Sequence, residues 1–195
     1  SDLSVRQALA YAIDKEAISE SLTYGYEPVA DTIVPDGTPY SDICGTIDYT
    51  YNVDRANQLL DEAGWAMNES TGIREKDGVR AAFTVMYNPG DSVRQALAED
   101  LAHQCAELGI EVTTEGAGWD VAYDKALSQP LVWGWGAHTP MELYNIYHTL
   151  PATGSAEYSP YANSTVDAYM DEALKASELE DSYDLWQKAQ WDGST

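Results

Sequence analysis

The residues best suited to contact a small ligand lie in one short run, Leu131–Pro140. The run has the pattern of an apolar strand that ends in small residues, an imidazole and a proline that starts a helix. A strand that ends in small residues lets a ligand approach the backbone closely, and an indole beside that gap offers a flat face for stacking or cation contact. The run therefore predicts one side of a ligand-binding site.

Six residues in and just after this run are the candidate ligand-binding residues. They are Trp133, Trp135, Gly136, Ala137, His138 and Tyr144. A purely structural interpretation stays open, in which the two indoles lie on alternate faces of a core strand and the glycines only turn the chain. His138 also has two open roles, because its ring can contact the ligand or cap the helix that follows Pro140.

Motifs for catalysis or for a metal centre are missing from the sequence. The three histidines do not form HExxH or an i, i+4 pair, and GxSxG, Walker and GxGxxG patterns do not occur. Neighbouring acids such as Glu99 and Asp100 point to different faces of a helix. His103 and His148 are interpreted as structural residues. We therefore expect a protein that is not an enzyme and has no catalytic residue, metal ligand or cofactor.

The charge of the chain is one-sided and restricts its partners. It has 33 acidic against 10 basic residues, a formal net charge of −23. Binding to nucleic acid requires clustered Lys and Arg, and an anionic membrane surface attracts the same residues. Both partners are therefore disfavoured. The scattered carboxylates are interpreted as solvated surface charge, with attraction of a cationic ligand to a cleft as the alternative.

Periodicity and turn signals predict an α/β protein. Apolar segments at 83–87, 110–114 and 131 onward indicate strands, and Asp77-Gly78 marks a hairpin turn. Helices are predicted at 5–13, 15–24, 121–127, 140–150, 166–176 and 181–190. Two more are predicted to start at Asn52 or Asp54 and run through 62, and to be capped by Asp91 or Ser92 and run through 108. The unit at 83–114 has the length of a strand–helix–strand crossover, which predicts parallel pairing of its two strands.

Two further segments carry structural expectations. Residues 26–51 contain several Pro and Gly residues and no helical period, so this long loop is expected to be pinned against the rest of the protein. The two cysteines, Cys44 and Cys105, form either a disulfide or two buried thiols. The chain shows no apolar run of about 18 residues that could cross a membrane.

Several stretches together resemble the extracytoplasmic solute-binding proteins of ABC importers for oligopeptides and nickel. The opening VRQALAYAIDKEAI at 5–18 is the most recognisable block. The others are VADT at 29–32, YNVDRA at 51–56, GIREKDG at 72–78, LGIEV at 108–112 and YAN at 161–163. Each stretch is weak by itself, and their order and spacing over essentially the whole chain carry the resemblance.

The resemblance implies a periplasmic-binding-protein-like fold with a mixed or parallel sheet flanked by helices. Residues 1–195 would be a single α/β lobe, most of the second lobe of a larger two-lobed protein whose first lobe is missing here. The protein would be the substrate-binding component of an ABC importer for a nickel chelate or oligopeptides. Ligand binding would close the two lobes, and a membrane permease would recognise the closed form. The full-length protein would be extracytoplasmic, either periplasmic or a lipoprotein anchored to the cell surface.

The two branches of this family differ at the end of the Leu131 strand. Peptide-binding relatives have Trp-x-x-Asp there, and this chain matches the Trp with Trp135 but has His138 in place of the Asp. The nickel branch has Trp-Gly-Ala-Pro, and Trp135-Gly136-Ala137 matches its first three residues. The resemblance thus implies stacking of a ligand on Trp135. The oxidising compartment of the family also makes a bond between the two cysteines an expectation to test.

Two other function classes remain open at this point. Abundant aromatic and acidic residues are also found in accessory domains that process carbohydrates or peptides. A structural surface domain that binds no small ligand is the other possibility. An open, polar concavity at residues 131–144 would argue against the structural domain.

Overall fold

The computed structural model describes residues 2–30, 32–34, 37–41, 49–134, 139–149 and 161–194, of which 191–194 are described as backbone only. The chain divides into two compact units. The first unit comprises Ser1–Val29 and Tyr49–Trp133, and the second comprises Ala30–Asp48 and Gly134–Thr195.

Parallel strands form the centre of the first unit. Strands β4 (Ala82–Tyr87) and β5 (Glu111–Gly116) pair in parallel, with Phe83 opposite Val112, and this confirms the predicted strand–helix–strand unit. Leu131 adds a parallel bridge to Met86 on the other side of β4. The predicted Leu131 strand is therefore a single bridge in the described structure, held by Met86 N–H donating to Pro130 O and Val132 N–H donating to Met86 O, each at 2.8 Å.

In the described part of this unit, four helices precede β5 in the sequence and a fifth follows it. Their bounds are α1 Leu3–Ala12, α2 Lys15–Thr23, α3 Val53–Glu62, α4 Ser92–Glu107 and α5 Trp119–Lys125. Side-chain caps explain where α1 to α4 begin, because an Asp or Asn oxygen accepts a backbone N–H of the first turn in each. The cap residues are Asp2, Asp14, Asn52 and Asp91. Helix α5 begins two residues before the predicted start, and no side chain caps it.

An antiparallel sheet lies between α3 and β4 in the sequence. Its strands β1 (Ala66–Asn68), β2 (Ile73–Lys76) and β3 (Val79–Arg80) pair in that order. Asp77 and Gly78 join β2 to β3 and both have positive φ, 52° and 79°. Those angles match the twist of a two-residue hairpin, which confirms the predicted turn.

The core of the first unit joins helices α1, α3 and α4 to the sheet. Its buried residues are Ala8, Ala12, Ala56, Leu60, Trp65, Ala81, Cys105, Leu108 and Ile110. Cys105 is a free thiol, and burial raises its pKa to about 12. Of the two alternatives left open by the sequence, a disulfide or two buried thiols, Cys105 fits the buried thiol; Cys44 lies outside the described residues.

One charged side chain, Arg74 of β2, is buried in this core and is only 4% exposed. Its guanidinium donates to the backbone oxygens of Leu108 at 2.8 Å and Trp65 at 2.5 Å. It also donates to Asp61 Oδ1 at 2.6 Å and Asn57 Oδ1 at 2.9 Å. Leu108 caps the end of α4, and Trp65 follows the end of α3. Arg74 therefore ties together two helix C-termini, where unpaired carbonyls attract a cation.

The second unit is helical. It contains α6 (Met141–Tyr147), α7 (Ser164–Ala173), a 3-10 turn at Leu179–Ser182 and α8 (Tyr183–Ser194). Helix α7 begins and ends earlier than the predicted 166–176, because the Asn163 amide oxygen caps it by accepting from Thr165 N at 2.9 Å. The core consists of Val34, Tyr40, Leu143, Tyr144, Val166, Met170, Ala173, Trp186 and Ala189.

The described part of the long loop that belongs to the second unit packs into the core of that unit, as expected. Val34 and Tyr40 are 3% and 4% exposed within the helical core. Gln190 of α8 donates from its amide to Tyr40 O, and Gln187 donates to Pro39 O at 3.1 Å. The loop therefore supplies part of the hydrophobic core that α6, α7 and α8 need.

Gly109, which joins α4 to β5, offers a stability test. Its φ is +74°, and a Cβ there would lie 3.1 Å from Gly72 O and 2.6 Å from Met67 Cε. We expect Gly109→Ala to lower the free energy of unfolding by about 1–3 kcal/mol, measured by denaturant titration. Gly64→Ala is the control, because Gly64 has φ +85° and open space around it. An equal loss in both variants would show that crowding contributes nothing at Gly109.

Within the described residues, no helix has the length and apolar character needed to span a membrane.

Candidate functional site

The carboxyl ends of the parallel strands meet at one edge of the first unit. Strand β4 ends at Tyr87 and β5 ends at Gly116, and the two residues are paired. Leu131 lies on the other side of β4, so the segment that leads to Trp133 runs toward the same edge. Open α/β sheets bind ligands in the crevice outside the carboxyl ends of their strands. This edge is therefore the candidate ligand site.

The backbone at this edge is tightly arranged. Ala117 N donates to Tyr87 O at 2.9 Å, which holds the loop after β5 against the end of β4. A Cβ on Gly116 would lie 3.2 Å from Pro89 Cβ and 3.4 Å from Tyr87 Oη. A glycine at this position thus allows the two loops to approach closely.

Three aromatic side chains gather at this edge, and we call Trp119, Tyr123 and Trp133 the aromatic cluster. The ring centroids of Trp119 and Trp133 are 4.7 Å apart and their planes meet at 58°. Tyr123 lies 6.2 Å from Trp119 in a stacked arrangement and 6.0 Å from Trp133. Trp119 is 38% exposed and Tyr123 is 43% exposed. The cluster therefore presents ring surface to solvent beside the strand ends.

Packing of α5 on the sheet explains how the cluster is held. Ala122 of α5 is fully buried against Met86 and Ala117, with Leu131 packed on the same group. Burial of Ala122 fixes the rotation of the helix. Trp119 and Tyr123 are four residues apart, so they lie on one face of α5, next to the face that Ala122 buries. Trp133 reaches them because Leu131 pairs beside β4.

The charges around the aromatic cluster are mostly negative. Asp120 and Asp124 follow the two helical aromatic residues by one position each and are exposed. Lys125 Nζ lies 2.8 and 3.1 Å from the carboxylate oxygens of Glu115, so its charge is balanced locally. Neighbouring positions of a helix point to different faces, so these two carboxylates lie on the exposed side of α5 and not on the side that carries the rings.

The sequence-predicted site residues have different outcomes. Trp133 is half-buried and belongs to the aromatic cluster. Trp135, Gly136, Ala137 and His138 lie outside the described residues, so their assignment to a ligand site stays a prediction.

Tyr144 belongs to the core of the second unit. It is 9% exposed, and its ring stacks on His148 with centroids 4.4 Å apart. Burial raises the pKa of its phenol, and the negative charges of Asp171 and Asp167 raise it further. The phenol is therefore protonated at neutral pH. Its predicted contact with a ligand stays a prediction.

The histidines behave as structural residues in the described part of the chain. His148 ends α6, is 8% exposed and lies 3.2 Å from Asp171 Oδ1 through Nε2. His103 is exposed on α4. Among the described residues, no group of three or more His, Cys, Asp or Glu side chains is placed to hold a metal ion.

A concavity of about 490 Å³ lies at the opposite edge of the same sheet, where the parallel strands begin. It is lined by Val5, Leu9, Phe83 and Leu127 among others, and by the residues that precede each strand. The Gln129 Oε1 atom is buried there without a hydrogen-bond partner. Its position at the amino ends of the strands is the wrong edge for the ligand crevice of an open sheet.

Trp119 and Tyr123 were not among the residues predicted from the sequence. A signal for them was present, since they are spaced i, i+4 directly after the predicted strand that ends near Thr114. The spacing alone did not predict their contact with Trp133, because that contact depends on the order of strands in the sheet.

Comparison with known proteins gives a family match over most of the chain. Residues 1–157 match the model for bacterial extracellular solute-binding proteins, family 5 Middle. The oligopeptide-binding protein AppA of Bacillus subtilis is 32% identical over 186 residues, which cover 91% of this chain and 34% of AppA. The nickel-binding periplasmic protein of Escherichia coli is 30% identical over 115 residues, 59% of this chain and 22% of that protein.

Solved structures show the same fold. AppA of Bacillus subtilis in complex with a nonapeptide superposes with a TM-score of 0.81 at 27% identity, over 99% of this chain and 40% of that one. NikZ of Campylobacter jejuni in complex with Ni(L-His) gives 0.80 at 26% identity, over 99% and 40%. The periplasmic-binding-protein-like α/β fold is thereby confirmed. The chain spans about a third of the length of the curated relatives matched over most of its length.

These matches separate the function classes left open by the sequence. The matched family consists of solute-binding proteins and not of enzymes, so it favours ligand binding over a processing accessory domain or a structural surface domain. The location of the aromatic cluster at the carboxyl ends of the strands agrees with such a role. The chain belongs to the family 5 bacterial extracellular solute-binding proteins.

Proposed function

We propose that this chain is most of one ligand-binding lobe of the substrate-binding component of an ABC importer for oligopeptides or a nickel chelate. Both compact units belong to that single lobe, and the ligand is captured between it and a first lobe. The full-length receptor works outside the cytoplasm, either periplasmic or anchored to the cell surface, and delivers its ligand to an ABC permease. Family membership over residues 1–157 supports this proposal.

The observation that carries the proposal is the open aromatic cluster at the carboxyl ends of the parallel strands. Ligand pockets combine apolar and aromatic walls with a few polar groups that orient the ligand. Trp133 stands at this edge, with its indole against Trp119. The other proposed ligand contacts are Trp135, Gly136, Ala137, His138 and Tyr144.

The receptor performs no bond chemistry in this proposal. Binding energy is used to shift the protein from an open to a closed arrangement of the two lobes, because the ligand contacts both lobes only when they are closed. The closed form is what the permease recognises. Native mass spectrometry and metal analysis of the full-length receptor would identify the ligand that co-purifies with it.

A substitution of Trp135 tests the placement of the site. In the full-length receptor, Trp135→Ala should weaken ligand binding about tenfold, because an indole that stacks on the ligand contributes on the order of 1–2 kcal/mol. The melting temperature should barely change. Calorimetric titration with an alanine-rich pentapeptide and with the nickel–L-histidine complex measures the loss.

Trp186 of α8 supplies the matched control. Its indole is 3% exposed and donates from Nε1 to Ser182 Oγ at 3.0 Å, so it is a core residue. Trp186→Ala should cost about 3–5 kcal/mol of stability. If Trp135→Ala behaves like Trp186→Ala, with lower thermal stability and unchanged affinity, then Trp135 is a packing residue and the site is misplaced.

A further inference from the structure

We propose that the concavity where the parallel strands begin is a docking surface for the stretch of chain that enters this lobe from the first lobe of the full-length receptor. We call the concavity, lined by Val5, Leu9, Phe83 and Leu127 among others, the apolar groove, and the residues that lead from the first lobe to Asp2 the entry segment. The inference rests on the proposed function, which supplies the first lobe, and it concerns a surface that the ligand site does not use.

The apolar surface of the groove is the first argument. Most of its wall is apolar, and Val79 and Leu127, which line it, are each 60% exposed. Single exposed apolar side chains are ordinary, whereas a continuous apolar surface in a concavity indicates an interaction site. The lining residues all belong to the first unit, so the groove is a property of that unit alone. An occupant of the groove would remove this apolar surface from water.

The position of Asp2 is the second argument, because it fixes where the entry segment arrives. Asp2 lines the groove and caps α1 by accepting from Ser4 N at 2.9 Å. Its other carboxylate oxygen accepts from Lys76 Nζ at 3.1 Å and from Trp65 Nε1 at 3.3 Å. Its backbone is extended, with φ −76° and ψ 128°. Residues that precede Asp2 in the full-length receptor therefore arrive beside the groove.

The groove favours a tethered peptide segment over other occupants. Gln129 lines the groove, and its Oε1 atom is a buried acceptor without a donor among the described residues. A peptide chain offers backbone N–H groups together with apolar side chains, whereas a purely apolar molecule would leave this acceptor unpaired. A second copy is disfavoured, because two copies of residues 1–195, each with a net charge of −23, repel one another. The entry segment is instead held next to the groove at a high effective concentration.

Docking in the groove is compatible with ligand binding. The groove lies at the amino ends of β4 and β5, and the candidate ligand site lies at their carboxyl ends. The groove can thus remain covered while a ligand enters and leaves. Hinge closure needs only a few residues that change their backbone angles, so a docked entry segment would leave the bending to residues that precede it.

Cysteine labelling of the full-length receptor tests whether the groove is covered. Leu127→Cys places a thiol in the groove, and the control Leu174→Cys places one at the end of α7, where Leu174 is 47% exposed. Each position lies within two residues of a lysine, so the thiols have similar neighbours. Labelling with N-ethylmaleimide, followed by peptide mapping, gives each rate in the folded receptor relative to the rate in urea. We expect the relative rate at position 127 to be at least about tenfold lower than at position 174. Equal relative rates would mean an open groove and would overturn the inference.

Photo-crosslinking identifies the occupant. The amino acid p-benzoylphenylalanine takes the place of Leu127 in one variant and of Val79 in another, and crosslinked peptides of the irradiated full-length receptor are mapped by mass spectrometry. We expect a crosslink to the residues that directly precede Asp2 in the same molecule. A covalent dimer, a crosslink to any other part of the receptor, an adduct with a small molecule or no crosslink at all overturns the inference. If one variant fails to fold, the other decides the question.

These outcomes are distinguishable from a failure of the proposed function. Titration of the same receptor with an alanine-rich pentapeptide and with the nickel–L-histidine complex shows whether it binds a solute. Binding of either one by a receptor whose groove is open overturns only the inference. Failure to bind both contradicts the proposed function, whatever the labelling rates are.

Discussion

Replacing Arg74 with Met should lower the free energy of unfolding by about 3–5 kcal/mol. Methionine has a similar length and is apolar, so it fills most of the space but donates no hydrogen bond. The backbone oxygens of Leu108 and Trp65 would then be buried without their present donor. Each buried acceptor left unpaired costs about 1–3 kcal/mol, and two are involved.

The large effect comes from the carbonyls and not from the ion pair. The Asp61 side chain is 67% exposed, so water screens its interaction with Arg74 and takes its place when Arg74 is removed. Asp61→Asn should therefore cost less than about 1 kcal/mol. Arg74→Lys should fall between the two, since an ammonium cannot reproduce the planar fork that reaches both helix ends.

Denaturant titration of the three variants measures these differences. Hydrogen exchange of α3, α4 and β2 would show whether the loss is greatest where Arg74 ties them together. If Asp61→Asn destabilises the protein as much as Arg74→Met, the salt bridge and not the carbonyl contacts is the main contribution.

Arg74 also shows where sequence patterns stop being informative. Strand β2 reads IREK, a polar segment, and nothing in its spacing distinguishes a buried arginine from a solvated one. Its burial depends on Leu108, which is 34 positions away in the chain. Only the packing of the hairpin against the ends of α3 and α4 determines it.

The strand–helix–strand unit was predictable for a local reason. Val85 and Met86 are consecutive residues and are 1% and 0% exposed, so both faces of β4 are covered. A strand covered on both faces requires a continuous apolar run, and that run is visible in the sequence. Parallel pairing then followed from the length of the connection through α4.

The candidate site was predictable in part. Small and aromatic residues after Leu131 indicated the edge where Trp133 lies, because a ligand site needs access to backbone and ring together. The partners of Trp133 come from α5, and they became neighbours only through the bridge between Met86 and Leu131. The position of Tyr144 in the core of the second unit, beside the fully buried Leu143, was not visible from its spacing in the sequence.

The largest functional effect is expected when residues 1–195 are produced alone. The isolated chain should bind an alanine-rich pentapeptide or the nickel–L-histidine complex at least about a hundredfold more weakly than the full-length receptor does. A pocket buries about 70–90% of its ligand, and in the proposed two-lobed receptor a single lobe supplies only part of that surface. Binding energy that depends on closure is absent as well, because one lobe has nothing to close against.

Calorimetry of the two proteins under the same conditions measures this difference, and circular dichroism of the isolated chain checks that its helices are formed. The aromatic cluster lies wholly within the first unit, so the isolated chain retains it. Micromolar or tighter binding by the isolated chain would mean that these residues form a complete site, and the two-lobed capture would have to be abandoned.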